Sequence, residues 1–364
     1  MHGTSGAQHR ARVTPAAGSP DGAQSIRYLY EHHPKGIETF EVAPGILWAR
    51  VPLPFRLNHV NVWLIRETDG WTVIDTGTAN AEARAVWDGL LGTVLSGAPI
   101  VRQIATHGHT DHVGLAGWLY EVSGGAPYHI TLVEWLSATV RIDESRSPIG
   151  APALKFLSSH GCDEATIESF REERQRTNAQ MLPLPTAIAR LRDGDRIRFG
   201  GRDWQVMVCG GHAAEHASFW CADEKILIAG DQILSKISPM IGVFASEPDA
   251  DPLTEYLASL DRFRALPEET FVLPSHGLPF HGLHARVEEL EHHHHLRLGL
   301  LEDLMTQPTT GMDLARGLFP KPVAEGQGRH AFSETMAHAH YLMRTGRAVR
   351  LTDETGRFVF QRTS

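Results

Sequence analysis

Three histidines and one aspartate lie within six positions of a single short segment, ATHGHTDHVG, at residues 105–114. In an extended or turning backbone the side chains of residues i and i+2 point the same way, so His107 and His109 can share one ion. Asp111 and His112 begin the next predicted helix and point toward a neighbouring position, which indicates a second ion. Imidazole and carboxylate ligands without thiolate suit zinc and also iron or manganese.

Further candidate ligands follow three apolar strands later in the chain. His212 comes after WQVMVCGG, Asp231 ends ILIAGD, and His276 ends FVLPSH. Each is a polar residue at the C-terminal edge of a predicted strand, beside a glycine or proline turn. Several polar groups buried together without a partner would be costly. Their repeated placement therefore predicts that these side chains meet at one edge of the fold and complete a metal site.

The H-x-H-x-D-H run, the later Gly-His and Gly-Asp pairs and the final Ser-His-Gly resemble the metallo-β-lactamase superfamily over about residues 37–305. The resemblance implies an α/β fold of the αββα sandwich type. It also implies two bound metal ions. Zinc is the expected metal, and iron and manganese are the alternatives. The ligands of the first ion would be His107, His109 and His212. Those of the second would be Asp111, His112 and His276, with Asp231 bridging both ions.

Two features of the ligand motifs indicate which branch of the superfamily this sequence resembles. GHAAEH at residues 211–216 stands where many relatives have G-H-T-P-G-H, so the ligand histidine is kept while Glu215 adds a carboxylate of unassigned role. We interpret His216 as a residue that supports the ligands rather than as a ligand. Thiol-ligated relatives carry cysteine at the position of Asp231. A bridging aspartate resembles the glyoxalase II, lactonase and nuclease branches more than true β-lactamases.

The resemblance and the ligand chemistry together predict a hydrolase. Two metal ions about 3.5–4 Å apart bind a water molecule between them and lower its pKa toward neutrality. We expect the resulting hydroxide to attack the carbonyl carbon of a thioester, an ester or a lactone. Asp111 is the candidate catalytic residue, because it can orient that hydroxide and shuttle its proton. Lys236 is a candidate to contact an anionic substrate group, and the alternative is a solvated lysine.

Two other functions stay open at this point. The C-terminal region resembles the winged-helix appendage of a β-lactamase-like branch that includes glyoxalase-II-like proteins and a few ribonucleases, so a phosphodiesterase or ribonuclease is one alternative. The other is a non-enzymatic nucleic-acid-binding module. A net charge of −9 gives no global basic field for nucleic acid or anionic lipid. We therefore expect a small-molecule substrate rather than a nucleic-acid partner.

Hydrophobic patterning predicts the elements that must position these residues. HVNVWLIRETDGWTVIDTG predicts a hairpin that turns at Asp69–Gly70. A helix over residues 80–95 precedes the strand VRQIAT, which delivers the histidine cluster at its C-terminal end. The helix ARVEELEHHHHLRLGLLEDLM places His294 on its apolar stripe. Because adjacent helical residues lie about 100° apart, histidines 292–295 cannot converge on one ion.

The 364 residues divide into three predicted parts. Residues 1–36 are rich in Gly, Ser, Ala and Pro and have no apolar h-region, which predicts a disordered leader rather than a secretory signal. Residues 37–305 form the predicted catalytic domain. Within it, the charged stretch of residues 141–190 is either a solvated surface helix or a lid over the active site.

Residues 308–364 predict two helices and a hairpin, which is the outline of a winged helix. This region contains eight Lys or Arg against five Asp or Glu, a weaker basic excess than a DNA-reading module carries. We therefore expect this region to pack against the catalytic domain or to form the contact of a homodimer.

Cysteine usage and hydropathy indicate the compartment. Cys162, Cys209 and Cys221 are odd in number and widely spaced, so they build neither a disulfide framework nor a CxxC zinc motif. No stretch approaches the ~20 apolar residues of a membrane span. We expect a cytoplasmic protein without membrane contact.

Overall fold

The computed structural model describes residues 25–144 and 149–363. The strands are β1 (Arg27–Tyr28), β2 (Phe40–Ala43), β3 (Ile46–Pro52), β4 (His59–Arg66), β5 (Trp71–Ile74), β6 (Ile100–Ile104), β7 (Tyr128–Ile130), β8 (Ala189–Arg190), β9 (Arg196–Phe199), β10 (Arg202–Cys209), β11 (His216–Cys221), β12 (Ile226–Gly230), β13 (Phe271–Pro274), β14 (Phe280–His281), β15 (Thr309–Thr310), β16 (Ala348–Thr352) and β17 (Phe358–Arg362). The helices are α1 (Ala81–Gly92), α2 (Thr110–Val113), α3 (Ala116–Val122), α4 (Leu132–Glu144), α5 (Ala151–Ser159), α6 (Glu164–Asn178), α7 (Pro252–Arg264), α8 (Leu283–Leu304), α9 (Gly311–Leu318), α10 (Pro320–Ala324) and α11 (Gly328–Arg344).

Two seven-stranded sheets pack face to face. The first sheet has the order β2-β3-β4-β5-β6-β7-β8 and the second the order β1-β14-β13-β12-β11-β10-β9. Arg66 pairs with Trp71 across the turn at Asp69–Gly70, which confirms the predicted hairpin. The strand before the histidine cluster is β6, and it runs parallel to β5.

An apolar layer between the two sheets holds the sandwich together. Trp48 and Trp63 of the first sheet share this layer with Trp204 and Phe219 of the second, and all four side chains are fully buried. A fully buried side chain of the size of Phe contributes roughly 1.5–3 kcal/mol. The layer therefore gives the strand ends a rigid support.

Helices cover the outer faces of both sheets, which confirms the αββα architecture. On the first sheet, Trp87 of α1 and Leu119 of α3 join Val62 in one cluster. On the second sheet, Tyr256 of α7 packs in one cluster with Leu227. No helix of the described ranges is both long enough and apolar enough to cross a bilayer.

The C-terminal region carries the two predicted helices as α9 and α11 and the predicted hairpin as β16 and β17. Two elements were not predicted: the short helix α10, and β15, which completes a three-stranded sheet of order β15-β17-β16. Phe332 and Met336 of α11 lie in the same apolar cluster as α7, α8 and the second sheet. This region is therefore packed onto the catalytic fold.

The predicted leader, residues 1–36, is too long at its C-terminal end. Arg27–Tyr28 forms β1, which pairs with β14, and the Tyr28 hydroxyl donates a 2.8 Å hydrogen bond to the carbonyl of Ser235. These contacts come from residues far away in the chain, so the local composition could not predict them. Residues 1–24 lie outside the described residues.

Residues 141–190 contain the end of α4 and all of α5 and α6, and α6 is the helix predicted for the charged stretch. Its Phe170 is buried and lies 6.1 Å, centroid to centroid, from the ring of Phe332 in α11. The segment is thus attached to the C-terminal region, and its role as a lid stays a prediction.

Candidate metal centre

The seven predicted ligands are brought together where β6, β10, β12 and β13 end. His107, His109, His212, Asp231 and His276 follow these strands, and the short helix α2 carries Asp111 and His112. They form two groups of side chains, each close enough to share one ion, and a third group joins the two.

Three histidine nitrogens of the first group converge on one point. His107 Nε2 lies 2.9 Å from His109 Nδ1, which lies 3.0 Å from His212 Nε2. The triangle closes at 3.2 Å between His212 Nε2 and His107 Nε2. Three ring nitrogens that face one another cannot all be satisfied by hydrogen bonds among themselves, whereas one cation satisfies three lone pairs at once.

The second group is formed by Asp111, His112 and His276. Asp111 Oδ2 lies 3.7 Å from His112 Nε2 and 3.4 Å from His276 Nε2. These two ring nitrogens are buried and have no hydrogen-bond partner in the described part of the chain. Buried polar atoms without a partner are costly, and a bound metal ion would satisfy both.

The carboxylate of Asp231 lies between the two groups. Its Oδ2 is 3.4 Å from His212 Nε2 and 3.6 Å from His112 Nε2. Its Oδ1 is 3.3 Å from His276 Nε2 and has no hydrogen-bond partner among the described residues. One carboxylate therefore faces both groups, which is the placement that a bridging ligand requires.

The electrostatics of the site favour bound cations. Burial raises the pKa of Asp231, but His276 and His112 outweigh burial and hold it well below its usual value. Burial lowers the pKa of His276, but the carboxylates of Asp231 and Asp111 outweigh it and raise that pKa to about 9. For His107, burial and the neighbouring His112 both lower the pKa. At neutral pH the metal-free site thus holds ionised carboxylates beside a protonated His276 and a neutral His107, and a bound cation would take the place of the proton on His276.

Hydrogen bonds on the far side of the rings fix the orientation of the ligands. His212 Nδ1 donates to the carbonyl of Met240 at 2.9 Å, and His276 Nδ1 donates to the carbonyl of His59 at 2.7 Å. In both rings Nε2 is then the atom that faces the site and can bind a metal ion in the neutral form of the ring. Such partners set the tautomer of a metal-binding histidine and tune its basicity.

Asp75, which the sequence reasoning missed, supports the histidine loop. Its carboxylate accepts hydrogen bonds from the backbone N–H and the hydroxyl of Thr106, at 2.8 and 2.9 Å, and contacts His112 Nδ1 at 2.8 Å. Its φ of 61° lies in the left-handed region, where only Gly, Asn and Asp are readily accommodated. Asp75 ends an apolar strand in VIDTG, the same signal that pointed to Asp231, and this signal could have found it.

Glu134, also missed, connects two ligand loops. Its buried carboxylate accepts hydrogen bonds from the N–H of Gly108, at 2.8 Å, and from the N–H of Glu215, at 3.0 Å. The carboxylate of Glu215 in turn accepts a 3.1 Å hydrogen bond from the N–H of Val133 in the first turn of α4. Glu215 therefore caps this helix, which gives the unassigned carboxylate a structural role.

Two further predicted residues are His216 and Lys236. His216 is fully buried, and its Nε2 accepts a 3.0 Å hydrogen bond from the backbone N–H of Asp231, so it orients a ligand. Lys236 is exposed, with Nζ 5.3 Å from the centroid of the Tyr28 ring. Its contact with substrate stays a prediction.

Comparison with known protein families gives two matches along this chain. A family described as the Metallo-beta-lactamase superfamily matches residues 56–276, and one described as Metallo-beta-lactamase-like, C-terminal domain matches residues 298–363. The crystal structure of a Beta-lactamase domain protein from Burkholderia ambifaria is similar, with a TM-score of 0.81 and 32% sequence identity. The similarity covers 93% of this chain and 99% of that chain.

Two relatives carry names that state an activity. Acyl-coenzyme A thioesterase MBLAC2 of Bos taurus is 28% identical over 198 residues, which are 52% of this chain and 63% of that protein. The hydroxyacylglutathione hydrolase of Methylobacterium sp. (strain 4-46) is 31% identical over 120 residues, which are 30% of this chain and 43% of that protein. The chain thus spans less than two thirds of the length of either relative.

Proposed function

This chain belongs to the metallo-β-lactamase superfamily and is a hydrolase of that superfamily, and we propose that it hydrolyses thioesters with the help of two bound metal ions, zinc by preference. The observation that carries the proposal is the pair of ligand groups with the Asp231 carboxylate between them. Ester and lactone carbonyls call for the same chemistry and are the nearest alternatives.

The donor atoms fit two transition-metal ions. We propose that the first is held by His107, His109 and His212, and the second by Asp111, His112 and His276, with Asp231 shared. Nitrogen and oxygen donors without thiolate suit zinc, iron or manganese. Two such ions would supply a hydroxide at neutral pH and an electrophile for the carbonyl oxygen of the substrate.

Asp111 is the residue of the centre best placed to move a proton. Its side chain is 20% exposed to solvent, whereas that of Asp231 is 8% exposed and that of His276 is 1% exposed. Burial raises its pKa, but His112 and His276 outweigh burial and hold it below the usual value. Asp111 is therefore an ionised and accessible carboxylate, which can accept a proton from water and deliver it to the leaving thiolate.

The choice of a thioester is supported by the names of the relatives. One is named an acyl-coenzyme A thioesterase and the other a hydrolase of hydroxyacylglutathione, and both names describe S-acyl compounds. The net charge of −9 gives no support to an RNA substrate.

A substrate screen tests this function. The purified protein is assayed side by side with a thioester, a lactone, a β-lactam and single-stranded RNA, each with and without a chelator. We expect thioester hydrolysis that the chelator abolishes and added zinc restores. Cleavage of RNA without cleavage of the thioester, or thioester hydrolysis that survives complete metal removal, would refute the proposal.

A further inference from the structure

Arg141 of α4 places a positive charge beside the first group of ligands. Its Nη1 donates a 3.0 Å hydrogen bond to the carbonyl of Gly108, the residue between His107 and His109. Within the described ranges this is the single hydrogen bond of the guanidinium, and no ion pair joins it to a carboxylate. The remaining N–H groups of Arg141 are thus uncommitted.

The acidic groups that act most strongly on Arg141 are Glu134, Glu144 and Asp111. None of them is available as its partner. The two oxygens of Glu134 accept hydrogen bonds from backbone N–H groups, and Asp111 faces the two histidines of its own metal group. Glu144 pairs with Arg174 of α6, at 3.4 Å.

The C-terminal helix adds a second positive group to this region. Arg329 of α11 acts on Arg141 as a like charge. The acidic partner of Arg329 is Glu173, at 3.5 Å, and Glu173 also contacts His330 Nδ1 at 2.9 Å. Glu173 is thus already paired with Arg329 and His330 and does not form an ion pair with Arg141.

Burial of a guanidinium that forms no direct ion pair is unfavourable, and burial outweighs the attraction of Glu134 and lowers the pKa of the half-buried Arg141. Two divalent ions would also outweigh the carboxylates of Asp111 and Asp231, which makes the surroundings of Arg141 more positive still. The planar fork of N–H groups on a guanidinium matches the oxygens of a carboxylate or a phosphate. A ligand that brings such a group would give Arg141 a direct ion-pair partner.

We propose that Arg141 binds an anionic oxygen group of the substrate, a carboxylate or a phosphate, and thereby directs the enzyme to negatively charged thioesters. This inference rests on the proposed function. It assigns Arg141 to substrate recognition, in addition to its contact with the histidine loop.

The test compares thioesters that differ in one charge. The neutral reference is the acetyl thioester of N-acetylcysteamine. The charged substrates are the acetyl thioesters of 3-mercaptopropionate and of 2-mercaptoethyl phosphate, together with the succinyl thioester of N-acetylcysteamine. These separate a carboxylate from a phosphate, and the thiol side from the acyl side. We expect the wild type to favour at least one charged substrate by about 10-fold in kcat/KM, mainly through KM, as for one charge-assisted hydrogen bond.

Arg141→Gln removes the charge and keeps an N–H donor for the carbonyl of Gly108. The ratio of charged to neutral kcat/KM is predicted to fall to about one. Arg176→Gln is the matched control, since Arg176 is exposed on α6 and pairs with Glu172 at 3.6 Å, and its ratio should equal that of the wild type. A wild-type ratio near one for every charged substrate, or an unchanged ratio in Arg141→Gln, would overturn the proposal.

A binding measurement decides the question independently of turnover. Calorimetry with zinc-loaded protein compares glutarate with its monomethyl ester, and the wild type should prefer glutarate by about 10-fold, a preference that Arg141→Gln loses. Equal binding of both compounds to the wild type would count against the proposal even if no thioester is hydrolysed. If Arg141→Gln does not bind metal, Arg141→Lys is measured in its place. Lysine lacks the planar fork of N–H groups, so the preference of this variant for glutarate should be about threefold or more below that of the wild type. An unchanged preference would contradict the proposal.

Discussion

Asp231 is the residue on which the two-metal interpretation depends most. It is the one carboxylate of the centre that faces both groups of ligands, with Oδ2 toward His212 and His112 and Oδ1 toward His276. A neutral side chain of the same shape would keep the packing and lose the charge that both cations share.

Asp231→Asn is therefore predicted to lower the metal content from about two ions per chain to about one or fewer. Elemental analysis of purified protein measures this content directly. Asp223→Asn, at an exposed turn between β11 and β12, is the control and should keep the wild-type content. Full metal loading of Asp231→Asn would remove the bridging role.

Metal binding should release protons at neutral pH. The pKa of His276 is raised to about 9 by Asp231 and Asp111 against the effect of burial. Below that pH the free protein holds a proton on a ring that must be neutral to bind a metal. Apparent zinc affinity is thus predicted to rise with pH between 7 and about 9.

Calorimetric zinc titrations at pH 7, in buffers of different ionisation enthalpy, count the released protons. His276→Gln should release fewer protons than the wild type. Binding without proton release at pH 7 would show that His276 is not a ligand or is already neutral.

The positions of all seven candidate ligands could be predicted because each follows a strand or begins the helix directly after one. Asp75 also follows an apolar strand directly, so the same pattern indicates it. Glu134 could not be found in this way. It lies in a helix whose sequence gives no sign that this one carboxylate is buried, because its burial results from the packing of α4 against two loops.

The loop between β12 and α7, residues 231–251, is the element that links the C-terminal region to the centre. The carbonyl of Met240 in this loop accepts the hydrogen bond from His212 Nδ1. Three residues further on, the N–H of Val243 donates a 3.0 Å hydrogen bond to the carbonyl of Ser333 in α11. The position of α11 thus influences the orientation of the His212 ring. This influence depends on tertiary packing, so the sequence of the loop could not predict it.

Gly242→Ala tests this connection. A Cβ at Gly242 would lie 2.9 Å from Met240 Sδ and 3.0 Å from Ser333 Cβ, so the Met240 side chain must turn aside and the contact with α11 must open by a few tenths of an ångström. We expect the affinity for the more weakly bound zinc ion to fall by about 10-fold or more, together with a lower Tm.

Gly299→Ala is the control for this substitution. Gly299 lies in α8 with nothing within 4 Å of the added Cβ, so helix propensity alone should raise the free energy of unfolding by up to about 1 kcal/mol. Zinc affinity should stay at the wild-type value. Equal zinc affinities for Gly242→Ala and the wild type would show that the loop contact does not reach the centre.

At the scale of the whole molecule, the two sheets and their covering helices were predictable from alternating strands and helices and from the family resemblance. The attachment of the C-terminal region to the rest of the fold was harder to predict. Composition separates residues 308–364 from the rest, yet Phe332 and Met336 share one buried cluster with the second sheet and its helices. A winged-helix identity, a homodimer and a cytoplasmic location stay predictions.

A shared core predicts that the chain unfolds as one unit. Scanning calorimetry of the zinc-loaded protein should give a single transition, whose calorimetric and van't Hoff enthalpies agree if unfolding is reversible. Two separated transitions, one of them absent from a chain that ends after Leu304, would show that the C-terminal region folds on its own.

Thioester hydrolysis followed during a zinc titration of the metal-free protein tests the central claim most directly. Activity is predicted to be absent at the start, to rise with added zinc and to level off at about two equivalents per chain. Full activity in the metal-free protein, or no thioester hydrolysis once two equivalents are bound, would contradict the account.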